Sequence, residues 1–175
     1  MLDLFSGVDA SIDLRDSAIL NSPIGLVVCR FDKEGRLTSC SPIEETQYPI
    51  YPEWIELSQK LYPTLATALW ECHPPKDMEV AMPRAEWAPN FWQILAEVPF
   101  GTTISYGELA IRNGLGKNMS RAVGRLLGTN PIFILYPCHR VIQADGGLAS
   151  FRWGVERKKA LIRYESSLLA LHEKR

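Results

Sequence analysis

Five consecutive apolar residues, Ile132-Phe133-Ile134-Leu135-Tyr136, stand between Pro131 and Pro137 and constrain the fold more than any other stretch of the sequence. A run this short and this uniformly apolar has no polar face to offer water, so it predicts a buried, strand-like segment. The prolines bound it on both sides, since neither ring supplies the amide that a ladder needs. The bond into Pro137 pushes Tyr136 towards an extended backbone. Cys138 is therefore expected where a buried strand emerges, a rigid place to mount a reactive atom.

Such a segment needs partners to cover it, and 175 residues suffice for one large domain or two small ones. Hydrophobic residues make up 46% and charged residues 22%, an ordinary globular balance, and no apolar run approaches the ~20 residues of a membrane-spanning helix. Asp3, Asp9, Asp13 and Asp16 against a single Arg15 do not fit a secretion or organelle signal, so an intracellular protein is expected. Residues 24–29 and 37–40, around Asp32-Lys33-Glu34-Gly35, predict a hairpin. Trp54, Leu57, Leu61, Leu65 and Leu69 recur at helical spacing over residues 53–70, with Pro63 kinking or splitting that helix. Pro74-Pro75 and the stretch to Pro83 read as a linker, which divides the chain into residues 1–84 and 85–175.

The net charge of −1 conceals an asymmetry. Residues 1–87 carry 14 acidic and 7 basic side chains, a net of −7, and residues 88–175 carry 6 and 12, a net of +6. A basic second half suits a phosphate-bearing partner, although a mixed charged surface gives the same count. Residues 87–98 predict an apolar helix with Pro89 in its first turn. Ser105 predicts the cap of a helix over residues 106–112, with Glu108 completing a capping box and Asn113-Gly114 ending it. Residues 120–127 predict a second short helix, stopped by Gly128. Two such helices joined through a glycine-bearing turn fit a helix-turn-helix or a plain helical hairpin. Gly146-Gly147 mark a loop, and residues 155–171 predict a terminal helix bearing Arg157, Lys158, Lys159 and Arg163.

Cys29, Cys40 and Cys72 lack the paired spacing of a zinc ribbon or redox motif, and Cys72-His73 has no matching second half. Buried or idle thiols are expected there, and no metal. Cys138 differs, because His139 and Arg140 follow it directly, and a nearby histidine or cation lowers a thiol's pKa. Successive side chains of an extended segment point to opposite faces, so a bridging water is the expected proton path from Cys138 to His139. Glu165 on the terminal helix is placed to orient the imidazole. By itself, the Cys-His pair is explained better by a buried cysteine beside a surface histidine.

The surrounding residues reverse that balance. Pro137-Cys138-His139-Arg140-Val141, preceded by Asn130-Pro131 and by Arg121-Ala122-Val123-Gly124, resembles the O6-alkylguanine-DNA alkyltransferase (methylated-DNA–protein-cysteine methyltransferase) family. The resemblance extends through Ser105-Tyr106-Gly107-Glu108-Leu109-Ala110 and Arg152-Trp153-Gly154-Val155 to Glu165, covering residues 87–165. It implies an α+β fold of two small domains: an N-terminal ribonuclease-H-like α/β support and a C-terminal winged-helix-like domain containing the helix-turn-helix. The first half carries the resemblance only weakly.

The activity so implied is DNA repair: a single-turnover transfer of a methyl or other alkyl group from O6-alkylguanine, and from O4-alkylthymine, to the protein's own cysteine. Cys138 would be the acceptor, His139 the water-mediated base held by Glu165, and Asn130 a brace for the site. Tyr106 would crowd the DNA backbone and donate a proton to the departing guanine. Arg121 would enter the duplex behind a flipped nucleotide, with Ser120, Ala122 and Gly124 forming a small-residue face to the minor groove. Val141 and Arg152 would line the base pocket, and Trp153 would narrow it in favour of methyl groups. Phe151 and Tyr136 depart from the tyrosine and aliphatic residue usual in the family. The partner implied is alkylated double-stranded DNA, with no cofactor and no membrane, bound by a monomer in the cytoplasm of a prokaryote or the nucleus of a eukaryote.

Physical chemistry supports these roles separately. A guanine oxygen inside a duplex cannot reach a buried thiol, so the base must leave the stack. A long, permanently charged side chain suits the vacated space, and small side chains permit close approach to a narrow groove. Three rivals fit less well. An alkyltransferase-like lesion binder would lack the acceptor thiol. A sequence-reading factor would need more long side chains than Arg121 and Arg125. A cysteine hydrolase would need an oxyanion hole and a separate histidine.

Overall fold

A computed structural model of the chain describes residues 16–43 and 50–172. The acidic stretch containing Asp3, Asp9 and Asp13 lies outside the described residues. Strands β1 (Ser17–Ser22), β2 (Gly25–Phe31) and β3 (Leu37–Pro42) form an antiparallel sheet in that order. The expected hairpin is β2–β3, in which Asp32 accepts from the amides of Glu34 and Arg36 to close the turn, and Gly35 takes a positive φ of 80°. Strand β1 has no forecast in the sequence. Ala18, Ile19 and Leu20 are all fully buried, so it lacks the alternation that marks a half-exposed strand.

Both faces of this sheet are covered. Ile19 and Val28 pack with Trp54 and Ile55 of α1 (Pro52–Leu61). Ala18, Leu20, Val27 and Cys29 pack with Leu65, Ala68 and Leu69 of α2 (Pro63–Glu71). Pro63 splits the predicted helix in two, because it starts α2 where its missing amide costs nothing.

In the apolar run, residues 132–135 are buried, as expected, and Tyr136 is half-buried, but the run is not a strand. Ile132 makes an isolated bridge to Cys40, with Cys40 donating to Pro131 and accepting from Phe133 (both 2.9 Å). The chain then turns, and Ile134 takes φ 70°. Its four residues from Ile132 to Leu135 join the same apolar cluster as the sheet and as Leu161, so that core draws on both sides of residue 84. The expected linker also contributes, since Leu37 of β3 donates to Glu79 and accepts from Ala81.

A second apolar cluster holds α3 (Phe91–Ala96), α4 (Tyr106–Arg112) and α5 (Ser120–Leu127) together with Cys138 and Val141. Helix α3 is shorter than predicted, for residues 86–90 form tight turns and the helix begins only after Pro89. Ser105 caps α4 by accepting from the Glu108 amide at 3.1 Å, but the capping box is half made. The Glu108 carboxylate turns instead to Arg112 at 2.7 Å, one helical turn on. A 3-10 turn, Lys117–Met119, leads into α5. Short parallel strands β4 (Ile104–Ser105) and β5 (Val141–Ile142) tie this layer to the chain after Cys138, and α6 (Val155–His172) closes the fold. No helix among the described residues is long and apolar enough to cross a membrane.

Candidate functional site

Cys138 opens a 3-10 turn, Cys138–Arg140, rather than leaving a strand. Its amide donates to Tyr136 at 2.7 Å and the Arg140 amide to Pro137 at 3.0 Å, which holds the turn tightly wound. Asn130 fixes the sulfur: its amide nitrogen donates to Cys138 Sγ at 3.2 Å and to the Tyr136 carbonyl at 3.0 Å. The Asn130 side-chain oxygen accepts from the Ile132 amide, so one buried side chain clamps both ends of the loop at residues 130–138.

Cys138 is 5% exposed and lines a cavity of about 280 Å³. Tyr106 and Gly124 form one side of that cavity, and Phe151, Arg152 and Trp153 the other. The Arg152 guanidinium lies over the Trp153 ring at 4.9 Å, and that ring also packs on Phe133. Trp153 thus both lines the cavity and packs on the core. Val141 is buried and does not line this space; its carbonyl accepts from Lys158.

Below the sulfur lies a buried array of charge. His139 Nε2 is 2.6 Å from Glu165 Oε1, and both residues are buried. Glu165 also accepts from Arg140 Nε (2.9 Å) and Nη2 (2.9 Å) and from the Gly101 amide (2.9 Å). Burial alone would raise the Glu165 pKa, but hydrogen bonds and charge from His139 and Arg140 bring it down to about 2. An ionised carboxylate only accepts, so Nε2 carries the imidazole proton and Nδ1 the lone pair. Among the described residues, Nδ1 has no hydrogen-bond partner. Burial pulls the His139 pKa below its ordinary value, with the charges of Arg140 and Lys158 helping and Glu165 opposing. The site therefore holds a neutral imidazole with a free basic nitrogen.

Arg140 does not serve the thiol as a neighbouring cation, as its position in the sequence suggested. It is 2% exposed, and besides Glu165 it donates to the carbonyls of Val98 (2.6 Å) and Cys72 (3.0 Å). A fork with these partners is spent on holding the carboxylate. The cation that acts on Cys138 is Lys158 of α6, which the sequence marks only as one of the basic residues of the terminal helix. It is fully buried, donates to the carbonyls of Val141 (2.6 Å) and Leu148 (2.7 Å), and lies 5.8 Å from the Tyr106 ring. Burial draws its pKa down to about 8, with Cys138 opposing. The available signal was spacing: Lys158, Leu161 and Glu165 share one face of a helix.

Burial pushes the Cys138 thiol up to about 11, while the Asn130 hydrogen bond and the Lys158 charge pull it back. The resting sulfur is protonated at neutral pH, and its proton must leave as it attacks. Burial likewise raises the Tyr106 phenol, with the Cys138 charge adding to it, which keeps that group a proton donor.

The residues expected on the outer face lie on α5. Arg121 and Arg125 are exposed, whereas Val123, Leu126 and Leu127 are buried. Ser120 and Ala122 are half-buried, and the Ser120 hydroxyl donates to Lys117. A Cβ on Gly124 would sit 3.6 Å from the Tyr106 ring, an ordinary contact, so the fold itself leaves room for a side chain there. Among the described residues, the metal-ligating atoms of Cys72, His139 and Glu165 converge to within 4.8 Å. Arg140 already holds both oxygens of that carboxylate, which suits a structural ion pair better than a cation site.

Comparison with known proteins places this geometry among relatives. Residues 86–167 match the family described as 6-O-methylguanine DNA methyltransferase, DNA binding domain. The chain is 34% identical over 153 residues to a methylated-DNA–protein-cysteine methyltransferase of Mycolicibacterium paratuberculosis, covering 83% of this chain and 89% of that protein. It is also 34% identical to the protein of that name from Methanosarcina acetivorans, over 86% of this chain and 97% of the relative. Among solved structures it is similar to the Mycobacterium tuberculosis OGT in complex with DNA, with a TM-score of 0.65, 30% identity, and coverage of 86% and 92% of the two chains.

Proposed function

The chain belongs to the methylated-DNA–protein-cysteine methyltransferase family, and from that premise we propose how its residues carry out the repair of alkylated DNA. The protein is a DNA-binding repair enzyme that moves an alkyl group from the O6 oxygen of guanine onto one of its own cysteines. Cys138 is that acceptor. The observation that carries the assignment is the pairing of a sulfur at the floor of a cavity with a neutral, buried imidazole whose Nδ1 is unpartnered.

The chemistry follows from those protonation states. His139 Nδ1 takes the thiol proton through a bridging water, and Glu165 stabilises the imidazolium that results. Lys158 and the Asn130 amide offset the charge developing on sulfur. The sulfur attacks the alkyl carbon, the carbon–oxygen bond breaks, and its electron pair stays on the guanine oxygen. The Tyr106 phenol donates a proton to the departing ring, and the proton taken up by His139 returns through water to the phenolate, so both groups end as they began. The products are unmodified guanine and a thioether, and a thioether offers no easily displaced partner. Each molecule acts once.

DNA enters over α5. The target nucleotide leaves the duplex for the cavity, Arg121 fills the space it vacates, and Ala122 and Gly124 allow the minor groove to approach. Arg152 and Trp153 border the flipped base, and the Trp153 ring favours methyl over larger alkyl groups. The described residues from 85 onward form the winged-helix-like unit that performs the chemistry as a monomer, and those before residue 85 form the ribonuclease-H-like unit that supports it.

Incubation with duplex DNA containing O6-methylguanine will add the mass of one methylene to the peptide bearing Cys138. Cys138→Ala will abolish transfer and retain DNA binding. An unmodified peptide beside unrepaired DNA removes this reading, and transfer by the alanine variant reassigns the acceptor.

A further inference from the structure

The carboxylate that orients His139 is held from an unexpected side, the end of α2 in the first half of the chain. Cys72 there has φ 50° and ψ 44°, the left-handed region. Glycine is the usual residue at such a helix end, because a side chain is strained in that conformation. A cysteine in its place implies a use for the side chain that backbone geometry does not supply.

Cys72 is fully buried, and two of its groups meet the array beneath Cys138. Its carbonyl accepts from Arg140 Nη2 at 3.0 Å, a contact that the left-handed turn aims. Its sulfur, a His139 ring nitrogen and a Glu165 oxygen all lie within 4.8 Å of one another. Burial and the Glu165 carboxylate push this thiol well up, so it stays neutral and takes no share of the charge. The thiol donates to the Leu69 carbonyl at 3.7 Å, which keeps the sulfur beside the pair.

We propose that Cys72 is a positioning residue for alkyl transfer, its carbonyl aiming Arg140 and its sulfur keeping water from the His139–Glu165 pair. The proposal rests on the reading of Cys138 as acceptor. His139 is faced by Glu165 and Lys158 from α6, by Arg140 and Cys138 from its own turn, and by Cys72 from α2; Tyr164, next to Glu165, is engaged with the Trp70 carbonyl. Within that shell, desolvation is the largest influence holding the imidazole neutral. Removing the sulfur admits water, raises the His139 pKa and so shifts the acid limb of the transfer rate to higher pH.

The test is the single-turnover rate on duplex DNA containing O6-methylguanine, followed across pH by the mass of the Cys138 peptide, for the wild type, Cys72→Gly and Cys72→Ala. Both variants will move the acid limb up by about one pH unit, which lowers the rate ~10-fold below it and leaves the plateau above it unchanged. Thermal unfolding separates the backbone from the sulfur: glycine is relieved at φ 50° and will melt above alanine, while the two limbs coincide. A limb unmoved in either variant overturns the proposal, and so does equal slowing at every pH. An unmodified Cys138 in the wild type overturns the acceptor reading itself and removes any transfer role for Cys72.

Discussion

The array beneath Cys138 and the outer face of α5 are built on opposite terms. In the array, the polar contacts close on one another: Glu165 accepts from His139, Arg140 and Gly101, Arg140 also reaches Val98 and Cys72, and Lys158 spans Val141 and Leu148. His139 Nδ1 is the exception. On α5 the apolar side is fully committed to the core, while the outward side has an exposed Arg121 and a glycine for which the fold has no need. On the proposed mechanism the closed network, with its one open nitrogen, moves one proton. The helix face with unused room is, on the same proposal, the surface that meets DNA.

That contrast makes Glu165→Gln the most damaging of the conservative changes. Glutamine keeps the shape but removes the charge, which leaves the Arg140 guanidinium buried without its counterion at a cost of about 3–5 kcal/mol. It also gives His139 Nε2 a neutral amide oxygen in place of an anion, which stabilises the imidazolium far less, so transfer should fall by roughly 10²–10⁴. The two losses are separable by pH. The Glu165 pKa is depressed to about 2, so its contribution to stability is complete above the ordinary carboxylate range and is lost as pH falls from there towards 2. Chemical denaturation across that window will show the loss in the wild type and its absence in the glutamine variant. Wild-type-like stability and transfer in Glu165→Gln would mean that the network is not closed.

Arg121→Ala should do the reverse. The side chain is exposed, so stability should change by less than about 0.5 kcal/mol. Extruding a base costs a few kcal/mol, and a side chain that offsets about 1.4 kcal/mol of this is worth ~10-fold in rate. Repair of duplex DNA should drop by about that factor, and attack on a free-base analogue should not. Equal losses on both substrates would show that Arg121 belongs with the array.

How far the sequence revealed each region follows from the same contrast. Helices α4 and α5 were legible because their ends carry local signals, Ser105 as a cap and Gly128 as a stop. The split at Pro63 was legible for the same reason. The array was only half so. His139 and Glu165 could be paired through the family resemblance, but Arg140 was misread because its partners lie 25 to 68 residues away in sequence. Lys158 was hidden among the basic residues of α6, since a lysine buried by two carbonyls looks in sequence like any surface lysine. The segment at residues 132–136 reads as a buried strand in the sequence, but only residues 132–135 are buried and the chain there turns. Hydropathy reports that a chain is covered, but not that it turns at an isoleucine with φ 70°.

Gly124→Ala has the smallest expected effect and is the sharpest test of the comparison, because its two consequences have opposite signs. Within α5 a glycine costs about 1 kcal/mol relative to alanine. A Cβ at this position meets only the Tyr106 ring at ordinary contact distance. The alanine variant should therefore unfold with about 0.5–1 kcal/mol more stability than the wild type, measured by denaturant titration. On the proposed docking the same methyl group stands where the minor groove approaches, so affinity for duplex DNA should fall several-fold, and by more than transfer from a free-base analogue, since Gly124 also borders the cavity. A protein that is both steadier and a poorer DNA binder would show that the glycine is retained for the partner and against the fold. If the variant loses stability, the helix itself needs glycine, and α5 would be as internally committed as the charged array below it.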